Sequence, residues 1–229
     1  MCFAPYVSIS TFIIEFALAI FFLLKNPKDN LNRIISLISF LLGFYQLNEF
    51  LICVTGFNLF TQFAMAVTAI LPSLGITYAL IMYRKKINYY WKLLIYSPPV
   101  FFILMFILAN YYKQSAICTT VFIQYPSLGM LGRFFALYYI VYLLAAVIIF
   151  YFASQNTNSK YEKVLSNLGI FGMLIFTVPT FIFLIFLPSL KIMFPSVLCE
   201  FGLLLAIEFI IVLWYKDKHK LHYYNKSKN

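Results

Sequence analysis

Residues 130–153 read MLGRFFALYYIVYLLAAVIIFYFA, an unbroken apolar run whose only charge is Arg133. A helix rises about 1.5 Å per residue, so a run of this length crosses the roughly 30 Å hydrocarbon core of a bilayer. Six further stretches have the same character, at about 4–24, 34–54, 59–83, 93–109, 166–187 and 194–215. In hydrocarbon every backbone N–H and C=O must be bonded within its own segment, which predicts helices. None of the apolar blocks alternates with period two as a membrane-spanning strand would. The first stretch has no Lys or Arg before it and no small-residue cleavage site, so it reads as a span and not as a signal peptide. The expectation is an all-α integral membrane bundle of seven transmembrane helices.

Composition agrees. The chain is 63% hydrophobic and 10% charged, with a mean hydropathy of +0.90, where a soluble domain carries roughly 25% charged residues. A net charge of +10 would suit nucleic acid, but the charges fall in short clusters between apolar runs, so the lipid bilayer is the expected partner and nucleic acid is not. One set of connections holds Lys25, Lys28 and Arg33, then Arg84, Lys85, Lys86 and Lys92, then Lys160 and Lys163, and finally Lys216, Lys218, Lys220, Lys226 and Lys228. The alternate set holds only Lys113, Arg133 and Lys191. The positive-inside rule then puts the N-terminus outside and the C-terminus in the cytoplasm, in a multi-pass protein of the cell membrane. The reading divides the chain into a transmembrane domain, 1–215, and a basic tail, 216–229 (KDKHKLHYYNKSKN), lying against anionic headgroups. The longest outer connection is 110–129, and the inner connection 154–165 is polar. Pro72 and Pro179 fall in mid-span, whereas Pro98 and Pro99 are expected in the first turns of the fourth span and Pro195 at the start of the seventh.

Four of the seven acidic residues, Glu15, Glu49, Glu200 and Glu208, fall inside predicted spans. An ionisable group at that depth costs several kcal/mol unless it faces the bundle interior, which makes each a candidate for function. Glu49 and Glu200 share an outer depth with Arg133. They are expected to face one interior space with Gln46, Asn48 and the aromatic run Tyr138, Tyr139 and Tyr142, a pocket for a ligand. Glu15 and Glu208 serve an alternative proton or ion role. The plain reading of all four is that they bond neighbouring hydroxyls and hold helices together. Cys53 and Cys118 both map to the outer side, where a disulfide is one reading and small apolar side chains the other.

Enzyme chemistry is pruned by what the spans lack. Both histidines, His219 and His222, lie in the tail, and the only aspartates, Asp29 and Asp217, lie at the cytoplasmic edge. No metalloprotease, phosphate-loop or nucleophile-elbow motif occurs. The segment 194–215 contains no Lys for a Schiff base. No catalytic residue, metal site or cofactor is expected.

The run NPKDNLNRIISLISFLLGFYQLNEFLI (26–52) resembles the first cytoplasmic loop and second helix of the seven-helix sensor region at the N-terminus of many bacterial histidine kinases. Asn26, Pro27, Asn32, Arg33, Tyr45 and Glu49 stand where that region has its Asn-Pro, its Asn-Arg and an aromatic followed by Glu. The stretches 71–86 and 194–221 are similar to its third and seventh helices. The usual Trp near Phe44 and Tyr45 is absent, and no output domain follows in the sequence, so the resemblance implies a stand-alone sensor. Three functions stay open. One is a sensory module that binds a small or lipidic ligand in the outer half and signals to a cytoplasmic kinase or similar protein. The others are a proton-coupled permease using the intramembrane glutamates and a structural assembly subunit.

The charge distribution makes a direct prediction. Reporter fusions at Gln114 should read outside, and fusions at Ser159 and at the C-terminus inside. Finding Ser159 and the C-terminus on opposite faces would overturn the seven-helix count.

Overall fold

The computed structural model describes residues 4–84, 88–108, 116–118, 123–125, 129–186 and 201–221. Among them are seven helices: α1 (Ala4–Lys25), α2 (Asn30–Thr55), α3 (Asn58–Met82), α4 (Tyr89–Leu108), α5 (Gly129–Gln155), α6 (Lys160–Phe186) and α7 (Gly202–Lys218). Two short antiparallel strands, β1 (Ile117–Cys118) and β2 (Ile123–Gln124), form a hairpin between α4 and α5. Six helices are long and apolar enough to cross a membrane. The seventh is described from Gly202, and residues 194–200 of the expected seventh span, with Pro195 and Glu200, lie outside the described residues.

The helices close into a ring around α3. Helix α1 packs on α2 and α2 on α3, which also meets α4, α5 and α6, while α7 joins α6 to α1 and α2. Burial follows from this arrangement: α3 is mostly inside the bundle, whereas α4, which leans chiefly on α3, is mostly on its outside. Large apolar side chains such as Ile13, Phe101, Leu137, Ile148 and Ile207 are exposed on the outer faces. A contiguous apolar surface of that extent fits lipid and not water.

Both ends of α2 fall outside its apolar run, because capping chemistry and not hydrocarbon decides where a helix stops. The Asp29 side chain accepts from the Leu31 N–H and starts α2 four residues before the expected span. Gly56, at φ 69°, ends it in the left-handed conformation that glycine adopts without strain. The polar stretch 154–165 is mostly helix, with only residues 156–159 connecting α5 to α6. There the Thr157 hydroxyl donates to Glu162, whose other carboxyl oxygen meets Arg84 at 2.6 Å.

Proline placement in α4 differs from the expectation. The helix begins at Tyr89, so Pro98 and Pro99 stand in its interior and not in its first turns. Proline cannot donate to the carbonyl four residues back, which leaves the Leu94 carbonyl without its helical partner. The Tyr142 hydroxyl of α5 donates to that oxygen at 3.1 Å. Pro72 in α3 has a similar neighbour, since the Tyr138 hydroxyl donates to the Ala69 carbonyl at 2.7 Å.

Small residues bring helices close, as in membrane bundles generally. A Cβ on Gly169 would stand 2.5 Å from the buried Phe150 ring, and one on Gly172 would stand 2.6 Å from the Glu208 carboxyl carbon. Gly169→Ala should therefore destabilise the bundle by about 1–3 kcal/mol, the usual cost of overpacking. The same change with Phe150→Leu should recover most of the loss. Thermal unfolding in detergent measures both, and an unchanged midpoint for Gly169→Ala would contradict the α5–α6 approach.

Candidate functional site

Helix α2 turns Gln46, Asn48 and Glu49 into the bundle, each 2% exposed. The Tyr45 hydroxyl, one turn away, donates to Glu49 Oε1 at 2.7 Å. It also lies 2.7 Å from the hydroxyl of Tyr125, which itself reaches the same carboxyl oxygen at 3.5 Å. Tyr125 immediately follows the hairpin, whose register pairs Ile117 with Gln124 and Cys118 with Ile123. A disulfide from Cys118 to Cys53 in α2, with Cα atoms 5.6 Å apart, fastens the hairpin to the bundle. With Ala116, Ile123 and Tyr125 all buried, the hairpin seats its apolar side chains on the end of the bundle above Glu49.

The other expected pocket residues are placed elsewhere. Tyr138 and Tyr142 line an open groove of about 530 Å³ between α4 and α5. Tyr139 lines a central cavity of about 20 Å³ among α2, α3, α5, α6 and α7, room for about one water. Arg133 is exposed near the start of α5. Neither Gln46, Asn48 nor Glu49 lines either space. Hydropathy fixes depth along a helix but not its rotation, so residues of equal depth can lie on different faces.

The two deeper carboxyls occupy separate helix junctions. Glu15 of α1 is fully buried where α1, α2 and α7 meet, with its Cβ and Oε1 against Gly43 and Gly202. Glu208 is 4% exposed at the α6–α7 contact, its carboxyl against Gly172. Both its oxygens lack a hydrogen-bond partner among the described residues.

At the opposite, lysine-rich end lies a cluster absent from the sequence reading. Lys216 belongs to the last turn of α7 and not to a solvated tail, and its side chain is fully buried. Its ammonium donates to Asn32 Oδ1 and stands 3.3 Å from the equally buried Asp29 carboxyl and 3.6 Å from Asp217. Asn32 also donates to the Phe22 carbonyl of α1 at 3.0 Å, and Lys25 pairs with Asp217 at 2.7 Å. One buried ammonium thus ties α7 to the α1–α2 turn. The seventh helix does contain lysines, Lys216 and Lys218, but both sit in its final turn. The usable signal was Asp29 as a helix-capping residue three positions before Asn32, at a bend that brings two polar groups to an apolar helix end. His219 stacks on Tyr161 of α6 at 4.1 Å beside Tyr215, and His222 lies outside the described residues.

The chain matches no family model, and no curated protein or solved structure matches it. The likeness to kinase sensor regions therefore rests on the residues quoted for it alone. No group of three or more metal-ligating side chains occurs among the described residues.

Removing one partner of a buried ion pair strands the other charge and costs about 3–5 kcal/mol. Lys216→Met should therefore lower the unfolding midpoint in detergent steeply. Lys25→Met breaks only the partly exposed pair with Asp217, worth about 0–1 kcal/mol, and should barely move it. Equal shifts for the two variants would refute the distinction.

Proposed function

We propose that the chain is a seven-span protein of the cell membrane that acts as a sensory, receptor-like module. Its hairpin end faces outside and its lysine-rich end the cytoplasm. The distribution of Lys and Arg supports this orientation, and a disulfide at the hairpin end suits an oxidising exterior. The observation that carries the sensory reading is the contact of Tyr125 with Tyr45 and Glu49. A segment outside the helices, the first that an arriving ligand meets, is hydrogen-bonded to a buried carboxyl of α2. A small ligand bearing a hydroxyl or amine can replace Tyr125 as partner of that carboxyl and shift this side of the hairpin, which stays tethered at Cys118. Helix α2 runs from there to Asp29 and Asn32, so its displacement alters the contacts of Lys216 and the last turn of α7. The cytoplasmic face around the α5–α6 turn and His219 then presents a changed surface to a signalling protein such as a kinase.

The central cavity, with room for about one water, offers a solute little passage and favours sensing over transport. One observation favours the permease as the second reading: the Glu208 oxygens, unpartnered among the described residues, suit a group that takes up and releases a proton.

A photo-crosslinking side chain in place of Lys160, exposed at the start of α6, tests the proposal in native membranes. Capture of a cytoplasmic protein, with a yield altered by Tyr125→Phe or Glu49→Gln at unchanged expression, is expected. No capture overturns the sensory reading. Proton-coupled uptake into proteoliposomes, abolished by Glu208→Gln, decides for the permease.

A further inference from the structure

The groove between α4 and α5 opens through the bundle wall, and neither the Glu49 site nor the sensory reading uses it. Its floor is aromatic and buried: Phe102 packs on Phe135 and Tyr138 with ring centroids 5.2 Å and 5.1 Å apart. Its rim, including Phe101, Leu137 and Val141, is exposed on the apolar outer surface of the bundle. Two tyrosine hydroxyls reach the groove, but both donate their protons to backbone carbonyls, Tyr138 to Ala69 and Tyr142 to Leu94. The walls therefore select for shape and apolarity, not for a polar ligand.

Length and charge identify the occupant. The lining runs along α5 from Leu131 to Tyr142, about 16 Å at the helical rise. That is roughly half the 30 Å hydrocarbon core, the depth of one leaflet. Between the lining residues Leu131 and Phe134, at the end of the groove near the start of α5, the chain carries Arg133, exposed and without an ion-pair partner among the described residues. Arg133 is four residues before Leu137, so the two share a helix face. A guanidinium at that depth complements a phosphate, which it can grip through paired N–H donors.

We infer that the α4–α5 groove holds one acyl chain of an outer-leaflet phospholipid whose phosphate pairs with Arg133. The inference rests on the membrane-spanning reading and is independent of the sensory one. Prolines 98 and 99 contribute the opening, because the interruption they cause in α4 is repaired by Tyr142 from across the groove and not by closer packing of the two helices.

Native mass spectrometry of the full chain, released from nanodiscs of phosphatidylglycerol and phosphatidylcholine, tests it. One phospholipid retained per chain is expected. Leu137→Trp fills the groove and should cut occupancy at least about ten-fold. Leu144→Trp, on the same helix and similarly exposed but outside the groove, should leave occupancy unchanged. Arg133→Gln should lower retention of phospholipid several-fold but not that of diacylglycerol, which has no phosphate. Should Leu137→Trp fail to fold, Val141→Trp, one turn deeper, makes the same test. An inserted chain that carries no lipid, equal occupancy in the Leu137 and Leu144 variants, or a second protein chain released by Leu137→Trp overturns the inference. A chain that does not insert at all overturns the membrane reading with it.

Discussion

A polar group buried inside this bundle needs a partner from the chain itself, and the placement of those partners organises the rest of the structure. Backbone carbonyls about one turn before the interior prolines accept hydrogen bonds from tyrosines on α5, Tyr138 and Tyr142. Helices α1 and α2 are stitched by Asn32 and Ser36, each donating to a carbonyl of α1. The Lys216 ammonium is held by Asn32 and Asp29, and the Glu49 carboxyl by tyrosine hydroxyls. Except at Glu49, whose partners are Tyr45 of its own helix and Tyr125 after the hairpin, a side chain from one segment completes the chemistry of another helix. Unsatisfied groups in such surroundings cost several kcal/mol, so these bonds fix which helices neighbour which more firmly than apolar contact alone, which changes little when a helix rotates in lipid.

The same requirement gives the two ends different characters. At one end a covalent bond and three oxygen atoms hold a hairpin over the helices. At the other a buried ion pair joins the α1–α2 turn to the end of α7. Helix α2 contributes to both, with Tyr45, Glu49 and Cys53 near one terminus and Asn32 near the other. A single helix therefore spans the distance between the two polar ends.

The long apolar runs were legible from the sequence because the length of a span and the charges between spans are one-dimensional properties. The bundle architecture and the inward direction of Glu15, Glu49 and Glu208 followed from them. What hydropathy does not encode is rotation about each helix axis. Tyr138 and Glu49 therefore seemed to share one space, although α5 turns Tyr138 to the α4 groove and α2 turns Glu49 to the hairpin. Lys216 was read as a tail residue because a lysine beyond Tyr215 marks the end of an apolar run. Its burial depends on Asp29, 187 positions earlier, as the sequence numbering gives. The prolines of α4 were placed early for a similar reason: Tyr89 to Lys92 are polar or interfacial, yet they already belong to the helix.

The bridge between Cys53 and Cys118 spans 65 positions of sequence and encloses all of α3 and α4. Those two helices are thus a closed covalent ring within the chain. A protease that cuts once anywhere inside the ring opens it without dividing the protein, and the two pieces migrate together until a thiol reductant separates them. Synthesis is constrained as well, since the ring cannot close until both helices have been made and Cys53 and Cys118 have been brought together.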